Sequence, residues 1–449
     1  MTNDRLIILE TLLAIGQGDA YSHLIIKDVL DKYAYLDRQE RSFIKRVTEG
    51  TLERQIELDY LIDLFSNTKT KKMKPVIRTI LEMGVYQLKY MDAVPVSAVC
   101  NESVKLAEKK GFRTLKGFVN GVLRNIARNP DAVAYPDREA DLLSYFSVRY
   151  SMPEWIVGLF LEEQGEETTE KLLQAFLEPK AVTIRTNLSK ISAGDLKKDL
   201  QEEGAQAEQA PYVPYALRLI KTDSIAGLSS FQKGCFQVQD VSSMLVCEFA
   251  DIQPGSHVID VCAAPGGKAL HAADLLNGSG HVEARDLTEA KVSLLEENIQ
   301  RCGFFNIRAA VQDARTLTEE SIEQADVVLA DLPCSGLGIM GRKNDIKYRA
   351  SSEKLESLVV LQREILRTVS RYVKPGGTLI FSTCTIRRAE NEENVSWVKE
   401  HLPFTAVSLE GRLPQGLEVP TAAEGFVQLL PGIHDTDGFF IAKFQRQSC

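Results

Sequence analysis

The sequence predicts a multidomain chain: an all-α N-terminal domain over residues 1–135, a small α+β module over 145–235, and an α/β Rossmann-like domain over 236–449. Three observations predict it. Up to about residue 130, apolar side chains recur at three- and four-residue spacing, and strand-like alternation is nearly absent. A stretch rich in proline and acids, RNPDAVAYPDREAD at 128–141, then interrupts the pattern and reads as a linker. From 236 onward, short β-branched runs alternate with helical segments, the rhythm of a parallel sheet covered on both faces.

The elements follow in order. DRLIILETLLAIGQ, RQERSFIKRVTEGTLERQIELDYLIDLF and VIRTILEMGVYQLKYM read as amphipathic helices. Gly50 in TEG is expected to cap one helix, and Pro95 in DAVPVSAV to break another. After the linker come helical MPEWIVGLFLEEQG and TTEKLLQAFLE, then strand-like AVTIRTNL. The third region supplies HVIDVCAA, GHVEARDL, NIRAAVQDA, ADVVLADL and GTLIFSTC as buried parallel strands. GFVQLLPG and GFFIAKFQ are expected as two closing strands. A doubly wound sheet of this kind takes its ligand at the carboxyl ends of its strands.

Composition narrows the function. Of 449 residues, 44% are hydrophobic and 26% charged, and no apolar run reaches the roughly eighteen residues that span a bilayer. The first twenty residues carry acids and lack a basic leader with a small-residue cleavage site, so a cytoplasmic address without membrane association is expected. The cysteines are scattered, with neither CxxC nor a Cys/His cluster, so no disulfide framework and no metal site is indicated. The six histidines are dispersed, which gives a Cys–His hydrolase little support. A net charge of -9 argues against a generic polyanion binder, yet basic charge is concentrated locally. Residues 105–128 hold seven basic side chains against one acid, and 66–78 hold five against none. Both are expected to dock RNA backbone, or else to be ordinary solvated helix faces. GRKNDIKYR at 341–349, with Arg342, Lys343, Lys347 and Arg349 against Asp345, is expected to grip phosphates beside a base lifted from its stack, or else to be an ordinary exposed loop.

The third region carries the chemistry. Cys262, Ala263, Ala264, Pro265, Gly266, Gly267 and Lys268 link a strand to a helix, where small residues and free N–H groups admit a ligand. Neither the G-x-G-x-x-G of a dinucleotide site nor a phosphate-binding P-loop is present. Asp286 ends the next strand, 26 residues after Asp260, where a carboxylate accepts both hydroxyls of a ribose. Asp313 ends the third strand, where an adenine amino group could lie, and Asp331 the fourth. Ribose and adenine without a pyrophosphate suggest S-adenosyl-L-methionine; the plainer reading is strand-end acids that cap helices. Cys334 in DLPCSGLGIM and Cys384 in STCTI follow the fourth and fifth strands, which lie side by side in such a sheet. Two thiols on one rim suit nucleophilic catalysis on a pyrimidine: a thiolate adds to carbon 6, and carbon 5 becomes a nucleophile. An acid such as Asp331 can stabilise the adduct near N3, and a second thiol can assist release of the first.

VCAAPGGK, DLPCSG and STCT, in this order and spacing, resemble the RNA (cytosine-5) methyltransferase family and its class I methyltransferase domain. The resemblance implies that Cys384 attacks carbon 6, that Cys334 assists release, that Asp331 contacts the base and that Lys268 lies in the active site. It also implies that Cys262–Lys268, Asp286, Asp313 and Asp331 line S-adenosyl-L-methionine. Ala269 departs from the hydroxyl residue common among relatives. VPVSAVCNESVKLAEKKGFRTLKGFVNGVLRNI resembles a NusB-like RNA-binding domain, while AVTIRTNL and GCFQVQDVSSMLV resemble the module that precedes the catalytic fold. The combination implies 16S rRNA of the small subunit as substrate, at cytidine 967, with DNA not expected and no protein partner identified. A tRNA substrate remains an alternative. So does a non-catalytic RNA-binding or antitermination factor on a vestigial methyltransferase fold, against which the intact Cys334, Cys384, Asp331 and Lys268 speak. Gly438 in TDGFF is expected to serve a backbone turn near the site.

Overall fold

The computed structural model describes residues 4–18, 20–129, 134–222 and 224–448. Two compact units emerge: residues 1–178 with 340–349, and residues 179–339 with 350–449. Residues 130–133 of the expected linker lie outside the described residues.

The first unit is helical: α1 (Asp4–Gln17), α2 (Ser22–Lys32), α3 (Arg38–Glu53), α4 (Gln55–Phe65), α5 (Pro75–Tyr90), α6 (Val96–Lys109), α7 (Lys116–Arg128), α8 (Leu142–Arg149), α9 (Glu154–Gln164) and α10 (Glu166–Phe176). Asp37 and Glu40 form a reciprocal capping box that starts α3. Pro95 stands at the N-cap position of α6, as expected of the break there. Gly50, by contrast, does not cap a helix: α3 runs through it to Glu53. The reason is steric. A Cβ at Gly50 would fall 2.1 Å from the Tyr86 ring of α5, so the glycine admits a close helix crossing rather than a turn. Ile8, Leu9, Val47, Leu58, Ile80 and Leu123 are fully buried in the core that results.

The second unit holds two sheets. β1 (Val182–Thr186), β2 (Gln206–Gln209), β3 (Ala216–Lys221) and β4 (Phe236–Val238) form an antiparallel sheet in the order β2-β3-β1-β4. α11 (Ala193–Glu202) packs on it, and the short α12 (Ser229–Gln232) precedes β4. α13 (Val241–Ala250) leads into the larger sheet, built from β5 (His257–Asp260), β6 (His281–Asp286), β7 (Ile307–Val311), β8 (Ala325–Asp331), β9 (Val373–Thr383), β10 (Phe404–Ala406), β11 (Phe426–Leu429) and β12 (Phe439–Arg446). Its helices are α14 (Gly267–Leu276), α15 (Glu289–Cys302), α17 (Ser352–Val369) and α18 (Glu392–His401); α16 (Ile346–Arg349) groups with the first unit.

The parallel strands lie in the order β7-β6-β5-β8-β9, so the chain reverses its direction of progress at β5. That places a crevice at the carboxyl ends of β5 and β8. β12 pairs antiparallel with β9, and β11 and β10 pair with β12. Val258, Ile259, Val328, Leu329 and Phe381 are fully buried, as near-continuous apolar runs covered on both faces require. The two sheets are tied by a buried ion pair: Arg185 of β1, fully buried, donates to Asp274 of α14 at 2.9 Å, and Asp274 also accepts from the backbone of Leu188 and Ser189.

Candidate active site

β8 and β9 run parallel with Asp331 in register with Ser382, so the loops leaving them start side by side. Those loops bring Cys334 and Cys384 together, sulfur to sulfur at 3.3 Å. The hydrogen bond with Cys384 and burial push the Cys334 thiol well above its ordinary range. Cys334 is thus held as a neutral thiol in contact with the Cys384 sulfur. Asp331 accepts from Ser382 at 2.8 Å and from the Lys268 ammonium at 2.6 Å. Burial opposes the charge on Lys268, but Asp331 outweighs it and raises the group above its ordinary value. Lys268 also lies over the Phe439 ring at 5.2 Å and within electrostatic reach of Cys384. The four catalytic candidates thus form one cluster.

The loop Cys262–Lys268 joins β5 to α14 beside them. Gly266 adopts φ +110, and a Cβ there would meet Leu295 at 2.8 Å, so the turn needs glycine. The Asp286 carboxylate accepts from the backbone of Ala264 at 3.0 Å and of Leu287 at 2.7 Å, and from Lys291 at 2.9 Å. Asp313 is clasped by Arg315, whose hydrogen bonds hold the carboxyl below its ordinary range. Asp260 lies beneath the loop; burial pushes it up to about 7, and its Oδ2 has no hydrogen-bond partner among the described residues. An orphaned buried acceptor, two acceptor-only carboxylates at strand ends and a turn of small residues fit an adenosyl sulfonium, which brings ammonium, hydroxyl and amino donors. Burial likewise pushes the Cys262 thiol up, so it stays neutral.

Sequence reasoning missed the support beneath the thiols. Glu390, fully buried, accepts from the backbone of Ser335 and from Gln362, which also donates to the carbonyl of Pro333. Asn391 accepts from Thr383 and donates to the carbonyl of Thr385. The signal was the run ENEEN at 390–394, three residues beyond STCTI, which places two polar side chains where they can reach back to the thiol loops. Gly438 does serve the backbone: its N–H donates to the carbonyl of Gly338 at 2.9 Å, while Gly338 donates to that of Cys384 at 3.1 Å. A Cβ on Gly338 would stand 2.2 Å from the Gly438 oxygen.

Two of the four basic side chains expected to grip phosphates at 341–349 are engaged within the helical unit, while Arg342 and Lys343 are exposed. Lys347 is buried and donates to the carbonyls of Glu53 at 2.7 Å and Ser151 at 2.6 Å, and burial pulls its ammonium down to about 7. Arg349 pairs with Asp345 at 3.2 Å and donates to the carbonyls of Gly18 and Ala20. These side chains build the helical unit, which is where their charge is spent. The other basic stretches are also partly neutralised. Lys110 pairs with Glu10, Lys116 with Glu108, Lys105 with Glu102, and Arg78 with Asp59 and Glu82. Lys71, Lys72, Lys74, Lys109 and Arg113 are exposed.

Three families match the chain: 16S rRNA methyltransferase RsmB/F over residues 248–445, the NusB family over 2–128, and a Methyltr_RsmF/B-like, ferredoxin-like domain over 152–226. The chain is 38% identical to the probable ribosomal RNA small subunit methyltransferase B of Bacillus subtilis (strain 168), over 99% of each. It is 33% identical to the protein of the same description from Synechocystis sp., over 99% of this chain and all of that one. The crystal structure of PH0851 shares the fold across 99% of both chains, with a TM-score of 0.82 at 24% identity.

Proposed function

The chain belongs to the RsmB/F family of 16S rRNA methyltransferases, and from that premise we propose that it methylates carbon 5 of a cytosine in 16S rRNA, by resemblance cytidine 967, through a covalent bond from Cys384 to carbon 6. It is an S-adenosyl-L-methionine-dependent enzyme, and the cofactor when bound supplies an electrophilic methyl group. The observation that carries the covalent reading is the contact of two thiols beside an ion-paired carboxylate at the ends of β8 and β9. The division of labour runs along the chain, with RNA docking in 1–135, a contact module in 145–235 and chemistry in 236–449. A cytoplasmic setting is part of the same reading.

Cys384 attacks carbon 6, forming the S–C6 bond and moving the ring's electrons toward carbon 5. Asp331, held by Lys268 and Ser382, relays a proton from the Lys268 ammonium to N3 of the ring, which neutralises the charge that develops there. Carbon 5 then takes the methyl group. The carbon 5 proton then passes to water, the C5–H electrons re-form the C5–C6 double bond and expel the Cys384 sulfur, and Cys334 donates a proton to that departing sulfur. Cys262–Lys268, Asp260, Asp286 and Asp313 would hold the cofactor.

The reading is tested with labelled S-adenosyl-L-methionine and RNA stripped from cells lacking the protein, with the modified base mapped. A single 5-methylcytidine in 16S rRNA is expected. Label in tRNA instead would overturn the substrate, and no label at all would overturn the reaction.

A further inference from the structure

At the end of the parallel sheet away from the thiols, the fold assembles a cluster that methyl transfer leaves unused. His257 opens β5 and His281 opens β6, and the two are partners in parallel register. Their rings stack at 3.9 Å between centroids and 21° between planes. Glu283 lies two residues beyond His281, so its side chain returns to the same face. One ligand atom from each of the three lies within 4.8 Å of the others, the one such group among the described residues. The sequence hid it because residues 24 apart become neighbours only through strand pairing.

The hydrogen bonds around His257 do not balance. Its Nδ1 is 3.0 Å from the carbonyl oxygen of Gln324, and its Nε2 is 2.9 Å from Oε1 of Glu283. Both partners of His257 therefore only accept, while a neutral imidazole carries one N–H. One of the two contacts of His257 thus lacks a proton, and a cation at Nε2 would satisfy both acceptors. The supporting contacts suit such a cation. Gln324 fixes the far nitrogen of His257, and Arg285 donates to the other oxygen of Glu283. Ligating imidazoles and carboxylates are oriented by partners of this kind.

We propose that His257, His281 and Glu283 bind a divalent transition-metal ion of the zinc class, with a fourth position open to water. Two imidazoles and one carboxylate form a donor set for such an ion. Ligand distances of about 2.0–2.1 Å call for ligand atoms somewhat over 3 Å apart and for lone pairs that converge, so the 2.9 Å pair opens slightly and the exposed His281 ring turns out of its stack on binding. Sited at the starts of β5 and β6, the ion would clasp two central strands and take no part in catalysis.

The test is titration of the full, chelator-stripped chain with Co²⁺ and Zn²⁺, followed by absorption and thermal unfolding. One equivalent should bind without a thiolate charge-transfer band and raise Tm. His281→Ala, a change at an exposed position, and Glu283→Gln should each weaken binding at least about tenfold and abolish the rise in Tm, leaving methyl transfer unchanged. Absence of binding would overturn the proposal. So would binding that survives both variants, or binding that carries a thiolate band and vanishes in Cys384→Ala.

Discussion

Asp260 shows how one buried group shapes the site. Burial is the main cause of its rise to about 7, and Asp331 and Asp286 add to it against Lys268. The folded chain thus retains a proton that the unfolded chain releases near the ordinary value of 3.8. Stability contributed by this carboxyl is complete below that value and is lost as pH rises through about 7. Asp260→Asn should remove this dependence, so that denaturant unfolding at about pH 5 and about pH 8 differs less than in the native chain. An unchanged difference would show that Asp260 does not titrate in this window. This behaviour of Asp260 was not legible in the sequence, since burial and charge neighbours are properties of the fold. Cys334, Cys384, Asp331 and Lys268 were legible because each sits in a short block at a strand end, where spacing and topology coincide.

At the scale of elements, the thiol loops are fixed by backbone contacts that side-chain patterns do not encode. Gly338 and Gly438 touch through their main chains, and Gly338 also donates to Cys384. Gly338→Ala would press a methyl group into the Gly438 carbonyl, which cannot swing away as a side-chain end can. A loss of about 1–3 kcal/mol is expected, with methyl transfer falling further than stability because the Cys384 loop is displaced. Equal losses in unfolding midpoint and kcat would argue against that positioning. The five parallel strands were readable from their β-branched runs. Gly50 was not, since whether a glycine ends a helix or admits a neighbour depends on a ring 36 residues away, that of Tyr86. β4 and β10, of three residues each, are too short for periodicity to reveal.

Across the whole molecule, a net charge of -9 coexists with a substrate made of phosphates. The helical unit leaves some of its cations exposed while pairing others. Lys71, Lys72 and Lys74 stand on its surface, whereas Lys110, Arg78 and Lys347 are taken up within the unit. Local charge counts along the sequence could not separate the two kinds, because Glu10 reaches Lys110 from 100 residues away. Reversing Lys71, Lys72 and Lys74 to Glu should weaken rRNA binding and flatten its dependence on salt. Binding and salt slope unchanged would remove this face from the RNA footprint. The same reasoning predicts that the chemistry itself survives on a saturating RNA.

The proposed chemistry assigns separate duties to two thiols at 3.3 Å, and trapping the intermediate tests them most directly. Cys334→Ala and Cys384→Ala proteins would be incubated with S-adenosyl-L-methionine and substrate RNA, then resolved under denaturing conditions. The account predicts a stable protein–RNA species with Cys334→Ala and none with Cys384→Ala. The reverse pattern, or no covalent species from either, would contradict it.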